Sequence, residues 1–221
     1  MKRLTGAAGF GILTFLMLTE ATPAHAAAEA KAAATAPSMS ATDLRNGMRK
    51  LWSEHVMYTR TYIISALATL PDLPSVTQRL LRNQDDIGNA IKPLYGDEAG
   101  KKLTALLRDH ILIAADIVKA AQASDTKSVD AGQKRWRKNA DDIAAFLSGA
   151  NPMWQKQGLT DMLYKHLDLT TTEVVSRIKK DWPADIQAND SGYEHMLMFA
   201  DMLSEGIIKQ NPKKVIHISE K

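Results

Sequence analysis

The 221-residue chain contains no cysteine. That absence excludes disulfides, thiolate metal sites, thiol nucleophiles and haem attachment through Cys-x-x-Cys-His. A domain of this size can bury enough of its own surface to do without cross-links. Charge of one sign is also in short supply: 28 Lys and Arg against 25 Asp and Glu leave a net charge of +3, with no long basic stripe. Nucleic-acid binding therefore lacks its electrostatic footprint. Strand-like alternation is scarce. The glycines of "KPLYGDEAGKK" stand in no strand–loop–helix frame for a phosphate loop, and there is no nucleophile-elbow Ser/His/Asp arrangement.

The N-terminus is of a recognisable kind. Lys2 and Arg3 precede an apolar run from about Leu4 to Leu18, and Ala24-His25-Ala26 fits a signal-peptidase cut after Ala26. The run falls short of the roughly 20 residues of a comfortable membrane span, and Glu20 follows closely. An uncleaved anchor is the competing reading. The cleavage signal favours export to the periplasm or medium, and a protein that is not integral to the membrane. Residues 27–39 are rich in Ala and poor in bulky apolar groups, which reads as a tether. One folded domain is expected over 40–210, followed by the basic tail "NPKKVIHISEK".

Inside that domain apolar residues recur at helical spacing, so an all-α fold of six helices is expected. The first helix should start between Ser40 and Asp43 and stop before Pro71. The second opens at Pro74 with a capping box, Ser75 to Gln78, and closes before Pro93. A third ends near residues 123–125. The fourth, from about Ser128 to Leu147, should be stopped by Gly149 in a left-handed cap. Asn151 and Pro152 then read as a fresh cap and first turn. The fifth covers about Leu159 to Lys180, with a candidate break at "LTTTE". Pro183 opens the last, which runs to about Lys209 and is apolar almost all round in "YEHMLMFADML", the pattern of a central helix.

A shift of 56 residues aligns two stretches without a gap. Arg79, Asn83, Asp85, Asp86 and Ile87 fall on Arg135, Asn139, Asp141, Asp142 and Ile143, while Leu103, Leu107 and His110 fall on Leu159, Leu163 and His166. A helical hairpin with "N-x-D-D-I" on one helix and histidine on the next is thus duplicated. Such a hairpin cannot bury its apolar stripe alone, so the bundle should be built around the two copies.

Four histidines lie within long helices: His55, His110, His166 and His195. His55 shares a stripe with Trp52 and Ile63, and His110 with Leu103, Leu106 and Ile117, so both should face the interior. His166 lies on a more mixed face. Imidazoles from facing helices commonly build metal sites in bundles, and neutral imidazole suits Cu, Zn, Ni and Fe. Asp86, Asp142, Asp116 and Asp201 are available to orient the rings, and Asp86 and Asp142 count with the four histidines as candidate metal-site residues. Met196, Met198 and Met202 would add thioethers for copper. The competing reading makes all four core histidines bonded to polar neighbours, and Glu-x-x-His and His-Glu-x-x-His pairs are absent.

"LWSEHVMYTRTYIIS", "LLRNQDDIGNAIKPLYG", "LLRDHILIAADIV" and "ADMLSEGIIKQ" resemble a family of small bacterial helical proteins, often with export signals. The resemblance spans about Ser40 to Gln210 and implies the helical fold and the location, but no activity. Two functions are therefore expected to compete. One is an exported bundle that holds a transition metal or small ligand through interior histidines, for storage, sensing or delivery. The other is a structural or interaction protein of the envelope, with a protein partner and no bound ligand. Catalysis by a bound metal would further need an open coordination position.

Overall fold

The computed structural model describes residues 39–216. The proposed signal peptide and nearly all of the tether lie outside the described residues. Six helices follow one another: α1 (Ala41–Leu67), α2 (Leu73–Tyr95), α3 (Asp97–Gln122), α4 (Thr126–Ala150), α5 (Lys156–Ile178) and α6 (Trp182–Gln210). Each packs against its neighbours in sequence, and α6 returns to α1, so the helices form the walls of a closed ring. The fold is an all-α bundle. A short parallel pair, β1 (Met39–Ser40) with β2 (Val215–Ile216), ties the ends together. The domain therefore reaches into what the sequence suggested was tail, and Val215 is part of the core.

The α1–α6 seam is held by polar pairs outside and aromatic packing inside. Arg45 pairs with Glu205 at 2.6 Å and Arg49 with Asp201 at 2.5 Å. Trp52 meets Phe199 edge-on, with ring centroids 5.0 Å apart. The last helix is one wall among six, not a central element: Tyr193 and Met198 on its outer face are exposed.

The structure extends the duplication to three copies. α1–α2, α3–α4 and α5–α6 are successive hairpins, offset by 55 and then 56 residues. Their turns are alike: Thr69, Ser124 and Lys180, at those same offsets, all take positive φ, at 54°, 59° and 60°. Each turn closes with the same two backbone bonds, as in Ser124 N to Ala121 O and Asp125 N to Ala120 O. These two hydrogen bonds satisfy carbonyls that a helix end would otherwise leave bare. Equivalent side chains form layers across the ring. Ile87, Ile143 and Phe199 make one such set, each 1% exposed, and Ile63, Val118 and Val174 cluster as another. The pair visible in the sequence, α2–α3 and α4–α5, is two-thirds of the ring. The remaining third is split between α6 and α1.

Several local expectations fail for identifiable reasons. Pro93 does not end α2, which continues to Tyr95 and stops at Gly96 with φ 86°. Pro93 costs α2 only the bond of its own missing N–H, and the turn beyond it still closes through Gly96 N to Lys92 O at 2.8 Å. Ser75 is not a cap: Asp72 precedes the helix and makes no side-chain cap bond. Helix α4 runs through Gly149 to Ala150, and Asn151 is its C-cap. No helix starts at Pro152. The chain turns there so that Trp154 can enter the core, and α5 begins at Lys156 and is unbroken through "LTTTE".

Candidate histidine centre

His55, His110 and His166 are equivalent residues of the three hairpins, each on the first helix of its copy. All three are buried at about mid-length of α1, α3 and α5, and they meet on the inside of the ring. His55 and His166 have ring centroids 5.4 Å apart, and their Nε2 atoms are 3.5 Å apart. His110 stacks on His166 with centroids 6.0 Å apart and planes 20° from parallel. Trp52 packs edge-on to His55, and Trp136 lies 5.1 Å from His110.

The second helix of each hairpin supplies a side chain to the carbonyl four residues before the histidine. Asn83 Nδ2 donates to Leu51 O at 3.0 Å, and Asn139 Nδ2 donates to Leu106 O at 3.0 Å. In the third copy the equivalent residue is His195, whose Nε2 lies 2.7 Å from Met162 O and donates to it. His195 thus occupies the place of an asparagine. It ties α6 to α5, while the other three histidines form the cluster.

His110 is oriented by an amide, not by a carboxylate. With Nδ2 of Asn139 committed to a carbonyl, its Oδ1 accepts from His110 Nδ1 at 2.8 Å. This places the proton of His110 on Nδ1 and leaves its Nε2 with a lone pair. Gln84 Nε2 lies 3.4 Å from His55 Nδ1 while donating to Leu80 O and Asn83 Oδ1. Asp86 and Asp142 face outward instead. Asp142 pairs with Lys138 at 2.5 Å, and Asp86 lies 4.0 Å from Arg79. Asp116 and Asp201 likewise pair with Arg135 and Arg49. An unpaired carboxylate inside the ring would lose its hydration without compensation, so the acids stay with their cations at the rim. Of the methionines, Met196 is core and Met198 is exposed.

Burial sets the protonation of the cluster. It pushes His55 down to about 3, with His110 adding to the effect. It pushes His110 down to about 4, partly offset by the bond to Asn139. His166 is held well below 6.5, first by burial and then by His55, His110 and His195 around it. Three neutral imidazoles therefore face one another at pH 7. The surroundings also hold several buried polar atoms without a partner: His166 Nδ1, Gln84 Oε1, Trp52 Nε1, Trp136 Nε1 and Thr59 Oγ1. Such atoms usually find a partner in a native interior.

Two imidazole nitrogens bound to one tetrahedral ion at 2.0–2.1 Å each would stand about 3.3 Å apart. The 3.5 Å between His55 and His166 Nε2 matches that spacing. Among the described residues, however, no three His, Asp or Glu side chains are grouped as a complete metal site. The arrangement presents a pair of nitrogens with a third imidazole stacked beside it. Compared with family models, curated proteins and solved structures, the chain matches none.

The histidines are legible in the sequence, and the side chains that hold them are less so. Asn83 and Asn139 were visible as a repeated pair, and that repetition is the signal that marks Asn139 as the residue orienting His110. Gln84 and Trp136 carry no such signal, because Ala140 and Leu80 replace them in the neighbouring copies.

Proposed function

We propose that this chain is an exported binding protein that takes a transition-metal ion, of the Cu, Zn, Ni or Fe class, or a small ligand at the histidine centre. Its role is storage, sensing or delivery. The observation that carries the reading is the buried, neutral His55–His166 nitrogen pair at 3.5 Å with His110 stacked against it. A histidine buried without full partners costs about 1–3 kcal/mol. An apolar residue would avoid that cost, so three equivalent histidines argue for use. Export rests on the sequence of residues 1–26.

The test is thermal unfolding of the chelator-stripped chain with each ion in turn. An ion that binds only the folded state at 100 times its Kd stabilises it by about 2.7 kcal/mol, or about 5–10 °C for a domain of this size. His55→Ala and His166→Ala should abolish the shift. His195→Asn should keep it, because asparagine holds the same carbonyl in the other two copies. No shift with any ion would refute the metal reading. It would favour the alternative of a structural envelope protein with a protein partner, for which the satisfied bonds of His110 and His195 are the supporting observation.

A further inference from the structure

One helical turn from the histidines lies a cavity of ≈ 60 Å³ with an almost wholly apolar lining. Its near wall is built from Thr59, Ala114 and Thr170, each four residues beyond a histidine of the cluster, and from Trp136, which also touches His110. Its far wall reaches the seam between α4 and α5, at Val129 and Gln133 on one side and Thr171 and Val175 on the other. Val175 is exposed, so the lining reaches the surface there. Across the seam Gln133 Nε2 donates to Thr171 Oγ1 at 3.0 Å.

The seam differs from its counterpart in the preceding copy. Between α2 and α3, Gly88 and Gly100 let the backbones touch: a Cβ on Gly88 would stand 2.7 Å from Gly100 O. The equivalent positions between α4 and α5 are Ala144 and Lys156. Cβ atoms there forbid so close an approach at that end of the seam, about 16 Å along α4 from Gln133. The connection differs too: Gly96 alone joins α2 to α3, whereas residues 151–155 join α4 to α5.

We infer that this cavity is a second binding site, one that admits a small uncharged molecule of a few heavy atoms through the α4–α5 seam. The volume sets the size, since about 10–15 Å³ on this measure holds one water. The lining sets the class: a charged guest would be stripped of water with no ion to meet it. Trp136 and Thr59 line the cavity, and Trp136 Nε1 and Thr59 Oγ1 are buried without a partner. Thr61 and Thr170 bond back to the preceding turn, Thr170 to His166 O at 3.0 Å, and Thr59 does not. A guest with one hydrogen-bond acceptor on an apolar body would satisfy the indole N–H. This site is independent of whether the histidines bind metal.

The experiment uses chelator-treated protein and acetonitrile, which has three heavy atoms and one acceptor, followed by ¹H–¹⁵N spectra of the tryptophan side chains. The Trp136 indole resonance should move along a saturable curve, and Ala114→Leu and Ala121→Leu, which fill the cavity, should each abolish that movement. Gln133→Ala should speed exchange with little change in the dissociation constant. A linear, unsaturated shift, or a saturable one that survives both filling variants, overturns the site. If one filled variant fails to fold, the other decides. An exchange rate unchanged in Gln133→Ala overturns the route.

Discussion

Taking the protein from pH 7 to pH 5 should destabilise it through the histidine cluster. In the unfolded chain a histidine titrates near 6.5, whereas His55 in the ring is held near 3 and His110 near 4. Between those values the unfolded state binds more protons than the folded one, so stability falls as the pH falls. At 1.36 kcal/mol per unit, each such histidine costs about 2 kcal/mol between pH 7 and pH 5, and the two together about 4. His166 shifts in the same direction and adds to the loss.

Glu173 opposes it. Burial pushes this carboxyl up to about 7, against the pull of Arg60 at 2.7 Å. The folded state therefore takes this proton first, and stability rises by about 2 kcal/mol over the same window. The net loss should be about 2 kcal/mol or more. Urea unfolding in chelator at pH 7, 6 and 5 measures it. Glu173→Gln should steepen the loss by about 2 kcal/mol, and His110→Phe should lessen it by a similar amount. A free energy that stays level from pH 7 to pH 5 in Glu173→Gln would refute neutral burial of the histidines.

Three further outcomes follow from the repeat and the packing. Asn139→Ala strands the Leu106 carbonyl and the His110 Nδ1 proton in the interior and should cost about 2–3 kcal/mol in urea unfolding, whereas Asn139→His should cost less, since His195 fills the equivalent place. In Gly206→Ala the new Cβ would lie 1.9 Å from Trp154 Nε1, and with that indole fixed in the core the urea midpoint should drop by the equivalent of about 1–3 kcal/mol. Thr69→Gly should raise the melting temperature, gaining about 1 kcal/mol, because a β-branched residue is strained at positive φ; Lys180→Gly should gain less.

Much of the architecture was legible along the chain because it is locally encoded. Apolar spacing gave six helices within a few residues of their true limits, and the 56-residue shift exposed two copies of the hairpin. The third copy escaped because its anchoring asparagine has become His195 and because the first offset is 55, not 56. The sequence therefore offers His55 as one of four candidate histidines, without showing that it is the repeat equivalent of His110 and His166. Ends of helices were misread where neighbours outside the helix decided: Trp154 entering the core moved the start of α5 past Pro152.

By itself, the sequence determined the fold class, the exclusion of thiol chemistry, and the interior position of His55 and His110. Each of these follows from composition or from spacing on a single helix. Tertiary structure alone decided which imidazoles meet. It brought three together from residues 55 positions or more apart, sent His195 to a backbone carbonyl and left Asp86 and Asp142 at the rim beside Arg79 and Lys138. The reason is physical: a helix fixes which of its own residues share a face, but the partner of that face depends on how all six helices close their ring.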